Sequence, residues 1–168
     1  MTSKMKLQQL SDLELELYNQ VISVSGTMEE KEIIISKMGI FDEYKKLHKE
    51  YANISSENLE AIKRGLFIQW YSVTEPSCFT GINCLDDNSE EQIIKSIDKL
   101  LEVNGNDMEL DWMIRHYRVW DYAFERFKRY KKFYNEINNP ISVEMVDFDK
   151  KEMHNRGQMG IYWSSIIK

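Results

Sequence analysis

The segment from about Asp107 to Ile137 constrains the fold most, because apolar side chains recur in it at spacings of three or four residues. Such spacing lines one face of an α-helix. The positions are Met113, Tyr117, Trp120, Phe124, Phe127, Tyr130, Tyr134 and Ile137. The pattern predicts one long central helix whose aromatic stripe packs into a core, and which ends at Asn138-Asn139-Pro140.

Four further helices are predicted from the same periodicity and from start and stop signals. The first runs from about 12 to 24 and begins at the capping-box pattern Ser11-Asp12-Leu13-Glu14. The second runs from Thr27 to about 52 with a bend near Gly39, and the third from Ser55 to a point before Pro76. The fourth begins at Ser89 and stops at Asn104-Gly105.

Five helices with short connections and no convincing run of strands predict an all-α fold, an antiparallel bundle of about five helices. The 168 residues are expected to form a single helical domain, with the bundle over about 11–138. Residues 140–168 are predicted to be a partly irregular C-terminal tail, in which 141–146 alternates like a short strand or an extended segment.

The chain contains 42% hydrophobic and 30% charged residues, the balance of a globular protein. Its first residues carry charges among the leucines and lack the apolar core of a secretory signal, and no run approaches 18 apolar residues. We therefore expect a cytoplasmic protein with no membrane contact. The two cysteines, Cys78 and Cys84, are expected to be free thiols.

The net charge of −6 is unevenly distributed, since residues 108–139 carry a net charge of +2. The segment from Arg126 to Tyr134 mixes cations with aromatic side chains, a composition also found on nucleic-acid surfaces. However, cations near the end of a helix are favoured by its dipole, and the protein as a whole is acidic. We expect no nucleic-acid partner.

Seven residues are candidates for a pocket between the third and fifth helices. Glu75 lies just after two aromatic residues, so that it is either an acid or base with a raised pKa or a cap of its loop. His116 falls at the border of the apolar stripe, and Asp111 and Arg115 have the spacing of an intrahelical ion pair. The candidate pocket is Trp70, Tyr71, Glu75, Asp111, Trp112, Arg115 and His116.

Common sequence motifs of metal sites, phosphate-binding loops and serine nucleophiles are absent from the sequence. The three histidines and two cysteines match no metal-ligand spacing, and there is no glycine-rich phosphate loop or serine-nucleophile motif. We therefore expect no metal and no cofactor, and the sequence leans away from an enzyme.

Two classes of function follow from these observations. The first is a protein-interaction module, such as a cytoplasmic inhibitor or immunity-type binder of a basic partner protein. The second is a small-molecule-binding protein or enzyme, with its site between the third and fifth helices and the 75–82 connection. The apolar C-terminal tail adds a further expectation, a homodimer formed through that tail.

Overall fold

The computed structural model describes residues 3–105, 107–139 and 149–167, and within them the secondary structure is entirely helical. The predicted all-α class is confirmed. The α-helices are α1 Ser3–Ser23, α2 Met28–Lys37, α3 Ile40–Ile54, α4 Leu59–Thr74, α5 Ser77–Thr80, α6 Asp87–Glu102, α7 Met108–Tyr117, α8 Lys131–Ile137 and α9 Gly157–Ile166. Two 3-10 helices, Arg118–Phe127 and Lys150–Met153, precede α8 and α9. The described residues thus contain nine α-helices where about five were predicted, and the five-helix bundle is not confirmed.

Several helix boundaries follow the local signals in the sequence. Thr27 and Glu30 form the predicted capping box at the start of α2, with both reciprocal hydrogen bonds present. Gly39 has φ +74° and separates α2 from α3, so that the predicted bend is a break between two helices. The left-handed conformation is one that glycine adopts without a Cβ clash.

The capping box predicted at Ser11 and Glu14 is wrong. The helix α1 begins eight residues earlier, at Ser3, and both side chains lie buried inside it. Instead of capping their own helix they bind the backbone of α9, which is 146 residues away in the case of Ser11 and Gly157. A serine and a glutamate three residues apart fit both roles, because both present the same acceptor atoms to backbone N–H groups.

The single long helix predicted over 107–137 is also wrong. The chain forms α7, then the 3-10 helix, then α8, and Trp120 within the 3-10 helix has non-helical dihedral angles of φ −112° and ψ 61°. No glycine or proline marks these breaks in the sequence. Packing of the 3-10 helix against α4, α7 and α8 accompanies the change of geometry, and tertiary contacts of this kind override local periodicity.

The helix α4 is the centre of the molecule. Every residue from Ala61 to Trp70 is buried, and α4 packs against α3, α6, α7, α9 and the 3-10 helix. Polar residues are included in this burial, and Nε2 of Gln69 binds the backbone oxygen of Glu90 at 3.0 Å and lies 3.3 Å from Nε2 of His48. A helix buried all round its circumference has to satisfy its polar side chains internally, and among the described residues Oε1 of Gln69 meets no partner.

Within the predicted tail, the helix α9 packs on other helices of the protein. Helix α9 contacts α1 and α4, and Met159 and Trp163 are fully buried. The predicted strand-like segment 141–146 lies outside the described residues. The tail was predicted to be partly irregular, and the helix α9 within it was not foreseen, because its first turn is bound by side chains of α1 that are distant in sequence.

Candidate functional site

An aromatic cluster forms where the C-terminal half of α4 meets α7, the 3-10 helix and α9. At its centre Trp70 is fully buried and stacks on Tyr117, with ring centroids 4.6 Å apart. The edges of Trp120 and Tyr162 meet the Trp70 ring at centroid distances of 5.2 Å. Four elements of the fold thus hold one another through ring contacts.

Five half-buried rings lie around this centre, and we call them the aromatic face. They are Tyr71, Trp112, His116, Trp120 and Tyr162. His116 links them, because its ring lies 5.6 Å from Trp120, 5.8 Å from Tyr162 and 6.0 Å from Trp112. Some apolar residues that lie within two sequence positions of these rings are 42% to 72% exposed, namely Val73, Val119, Tyr122 and Ile161.

A hydrogen bond orients two rings of the aromatic face. Nε2 of His116 lies 2.7 Å from the hydroxyl of Tyr162. Burial lowers the pKa of His116, and it raises the pKa of Tyr162 to about 12 with smaller contributions from Tyr71 and Glu75. Both groups are therefore uncharged near pH 7, and the bond positions the rings without placing a charge between them.

The structure brings four of the seven predicted pocket residues into this cluster, namely Trp70, Tyr71, Trp112 and His116. Glu75 is exposed at the C-terminal end of α4, where its charge acts on Tyr71 and Tyr162 after the larger effect of burial.

Asp111 and Arg115 lie on the side of α7 toward α8. Nη2 of Arg115 binds Glu136 at 3.2 Å. Burial raises the pKa of Asp111, the charge of Glu136 raises it further, and Arg115 opposes the change. The charged part of the predicted pocket is thus split, with Asp111 and Arg115 facing α8 and Glu75 next to the aromatic face.

A groove of about 890 Å³ lies elsewhere, between the α3–α4 connection and α6. The hydroxyls of Ser55 and Ser96 meet at 2.8 Å between its two sides, and Tyr130 also lines it. Its volume falls within the range of small-molecule sites, ~300–1,000 Å³. Sequence reasoning missed it because the lining comes from distant segments with ordinary surface side chains, which give no local pattern.

The basic segment is held by acidic side chains of neighbouring helices. Arg126 binds Asp87 at 2.9 Å and also Glu90, both of α6. Arg129 likewise pairs with Glu91, and Lys128 pairs with Glu125 at 2.6 Å. These contacts lower the charge that a nucleic acid would meet on this surface. The absence of a nucleic-acid partner stays a prediction.

Two polar clusters hold the start of α9. The first, the Arg156 cluster, consists of Arg156, Glu60, Glu109, Lys63 and Asp107. Arg156 binds Glu60 at 2.6 Å and Glu109 at 3.1 Å, and Lys63 binds Asp107 at 2.8 Å and Glu109 at 3.1 Å. Burial alone would raise the pKa of Glu109, but the hydrogen bond and charge of Arg156, aided by Lys63, hold it below its ordinary value.

The second, the Glu14 cluster, consists of Glu14, Ser11, Tyr44, Tyr51 and Gln158. The carboxylate of Glu14 accepts the backbone N–H of Gln158 at 2.7 Å and the hydroxyl of Tyr51 at 3.2 Å. Ser11 accepts the backbone N–H of Gly157 at 3.1 Å. Burial raises the pKa of Glu14 to about 7, against the hydrogen bond from Gln158 and the charge of Arg64.

The structure gives no support to several other kinds of site. In the ranges described, no three His, Cys, Asp or Glu side chains are placed to hold a metal ion. None of the helices that the structure describes has both the length and the hydropathy needed to cross a membrane. Cys78 and Cys84 are free thiols, as predicted.

No protein-family model matches the chain, and no curated protein and no solved structure shows significant similarity to it.

Proposed function

We propose that this protein is a protein-interaction module which binds a basic partner protein through the aromatic face. The observation that carries the proposal is a group of five half-buried rings around the buried Trp70, four of them in ring contact with it and the fifth, Trp112, in contact with His116. Tryptophan and tyrosine are enriched among the residues that dominate binding energy at protein interfaces. Rings already fixed by packing lose little entropy when a partner binds.

The preference for a basic partner rests on charge. The net charge of the chain is −6, and Arg126 and Arg129 are paired with carboxylates of α6. Glu75 adds an exposed carboxylate next to Tyr71 and Tyr162. Opposite net charges accelerate association and favour a basic partner over an acidic one. Aromatic rings with an adjacent carboxylate also suit the binding of a lysine or arginine side chain.

The experiment compares two variants that each remove a half-buried tyrosine, Tyr71→Ala on the aromatic face and Tyr134→Ala on α8. Tagged wild-type protein and both variants are incubated with extract of the source cells, and bound proteins are identified by mass spectrometry. The Kd of each purified candidate partner is then measured. We expect a basic partner that binds wild type and Tyr134→Ala equally, with Kd raised at least ~30-fold by Tyr71→Ala, the effect of losing a dominant interface residue.

The proposal fails if Tyr71→Ala binds every recovered partner as tightly as wild type does, or if the partner that depends on Tyr71 is acidic. Salt provides a second criterion. The association rate with a basic partner should fall as ionic strength rises, because steering between opposite charges is screened. An association rate that does not change with salt would contradict the electrostatic part of the proposal.

A further inference from the structure

Glu14 is a buried carboxylate that stabilises the start of α9. It is 1% exposed, and one of its oxygens accepts the N–H of Gln158 in the first turn of α9. The first N–H groups of a helix have no partner within the helix, so that this acceptor completes the hydrogen bonding of α9. Gly157 has φ +61°, and a Cβ at that position would lie 2.2 Å from Oε2 of Glu14. The carboxylate and the backbone of α9 are therefore in direct contact.

Glu14 lacks the partner that a buried negative charge requires. Among the residues that the structure describes, no lysine or arginine forms an ion pair with it within 4.0 Å. The cation whose charge acts on Glu14 is Arg64 of α4, which is itself paired with Glu60 at 2.8 Å. A buried charge without a close counter-ion is disfavoured, and the group binds a proton instead.

Apart from Arg64, the groups that face Glu14 from the other elements do not supply a charge near neutral pH. From α3 come the hydroxyls of Tyr44 and Tyr51, whose pKa values burial raises well above the ordinary one. Thr80 of α5 contributes only its backbone oxygen, which accepts the amide of Gln158 at 2.6 Å. Helix α9 itself contains no charged side chain, and Arg156 before it is bound to Glu60 and Glu109. Glu14 is thus the group of this cluster that changes charge near neutrality.

The state of α9 also determines whether the aromatic face is complete. Tyr162, one residue of that face, and Trp163, which lies 4.8 Å from the ring of His116, belong to α9. Movement of α9 away from α1 would remove both rings from the cluster. A change of charge at one end of the helix therefore acts on the surface formed by its middle.

We propose that protonation of Glu14 controls the docking of α9, so that the aromatic face is complete while Glu14 is neutral and opens more often once it is charged. The consequence for partner binding rests on the function proposed above, but the docking of α9 does not. In the docked state the pKa of Glu14 is about 7, and in water it has the ordinary value of 4.5. The equilibrium between docked and open helix therefore depends on pH between these two values and levels off above about 7.

Hydrogen exchange measured by mass spectrometry tests the proposal on the full chain, between pH 6 and pH 8.5. Exchange of residues 157–167 is corrected for the intrinsic pH dependence of amide exchange and compared in wild type, Glu14→Gln and Glu16→Gln. The control, Glu16, is an exposed carboxylate on the same helix. We expect the opening constant of α9 to rise about tenfold in wild type and in Glu16→Gln over this range, and to stay constant in Glu14→Gln.

The same rise in Glu14→Gln as in wild type would refute the proposal. Since that variant could fail to fold, a second measurement uses the wild-type protein alone, in which the ¹³C carboxyl resonance of Glu14 is titrated by NMR. A pKa below about 5 would also refute it. If the pH-dependent exchange of α9 requires Glu14 but partner binding is unchanged by Tyr71→Ala, this proposal stands and the proposed function is rejected.

Discussion

Arg156 and Gln158 are two residues apart, but the carboxylates that bind them, Glu109 and Glu14, have pKa values shifted in opposite directions. In the Arg156 cluster each buried charge has a partner of opposite sign, and the pKa values of Glu109 and Asp107 lie below their ordinary values. In the Glu14 cluster the carboxylate has only neutral donors in contact, and its pKa is raised. Burial thus favours the neutral state of Glu14, which has only neutral donors, whereas pairing with Arg156 and Lys63 keeps Glu109 ionised although it is also largely buried. The first cluster should be insensitive to pH near neutrality, and the second should respond to it.

The largest effect is expected from Arg156→Met. The variant leaves the carboxylates of Glu60 and Glu109 without their shared partner, and breaking a buried ion pair on one side destabilises a protein by about 3–5 kcal/mol. Urea denaturation at pH 7 measures the free energy of unfolding. Arg156→Lys is the control, which should recover part of the loss because it keeps the charge without the two-pronged geometry. A loss below about 1 kcal/mol for Arg156→Met would mean that the cluster is not a buried network.

The next effect is the pH dependence that Glu14 adds. A carboxyl whose pKa is raised on folding binds more protons in the folded state, so that its stabilising effect is present below pH 4.5 and is lost as pH rises through about 7. Between pH 5 and pH 8.5 the difference in free energy of unfolding between Glu14→Gln and wild type should change by about 2.5 kcal/mol in favour of the variant.

The comparison between variant and wild type is necessary because His48 acts in the opposite direction. Burial lowers the pKa of His48 to about 4, and this histidine therefore destabilises the folded state as pH falls from 6.5 toward 4. The effect of His48 cancels in the difference between the two proteins. If the difference in free energy of unfolding between Glu14→Gln and wild type does not vary with pH, the Glu14 cluster is no more sensitive to pH than the Arg156 cluster.

A smaller effect is expected from Gly157→Ala. The alanine would have to adopt the left-handed backbone conformation of Gly157, and its Cβ would lie 2.2 Å from the carboxylate of Glu14. We expect a loss of about 2 kcal/mol or more in thermal unfolding. Gly39→Ala is the matched control, because Gly39 has φ +74° and nothing lies within 4 Å of an added Cβ. Its loss should be about 1 kcal/mol. Equal losses in the two variants would show that α9 does not approach Glu14 this closely.

The smallest effect is expected at an ion pair that is not buried. Lys6 of α1 pairs with Glu50 of α3, and their side chains are 29% and 41% exposed. Lys6→Met should destabilise the protein by less than about 1 kcal/mol, and the loss should shrink in 1 M salt. Urea denaturation at two salt concentrations provides the measurement. A loss as large as that of Arg156→Met would show that the contribution of an ion pair to stability does not depend on its burial in this protein.

The sequence predicts those parts of the fold that depend on neighbouring residues. The reciprocal hydrogen bonds of Thr27 and Glu30 and the break at Gly39 are local, and both follow from local patterns. Ser11 and Glu14 have the same pattern as Thr27 and Glu30, but their hydrogen-bond partners are on α9. Gly26, with φ +127°, directly precedes Thr27, whereas no glycine or proline precedes Ser11, so that one local signal separates the two cases; the contacts of Ser11 and Glu14 with α9 have no local signal.

The candidate site shows the same limit. Trp70, Tyr71, Trp112 and His116 share a cluster, as expected from their apolar surroundings in the sequence. The rings of Trp120 and Tyr162 complete it, although Tyr162 belongs to a segment for which no helix was predicted. Asp111 and Arg115 were grouped with them because they are adjacent in sequence to Trp112 and His116. A helix turns by about 100° per residue, and the two side chains therefore point to α8 instead.

The contact between Ser11 and Gly157 has a consequence for the order in which the chain folds. A ribosome releases α1 long before residues 157 and 158 exist, because the two partners are 146 positions apart. Throughout that interval α1 can pack only on α3 and α5, and the hydroxyl of Ser11 and one oxygen of Glu14 lack the backbone donors that α9 supplies. Contacts between distant residues form slowly, so that the joining of the two ends of the chain is expected to be the last step of folding.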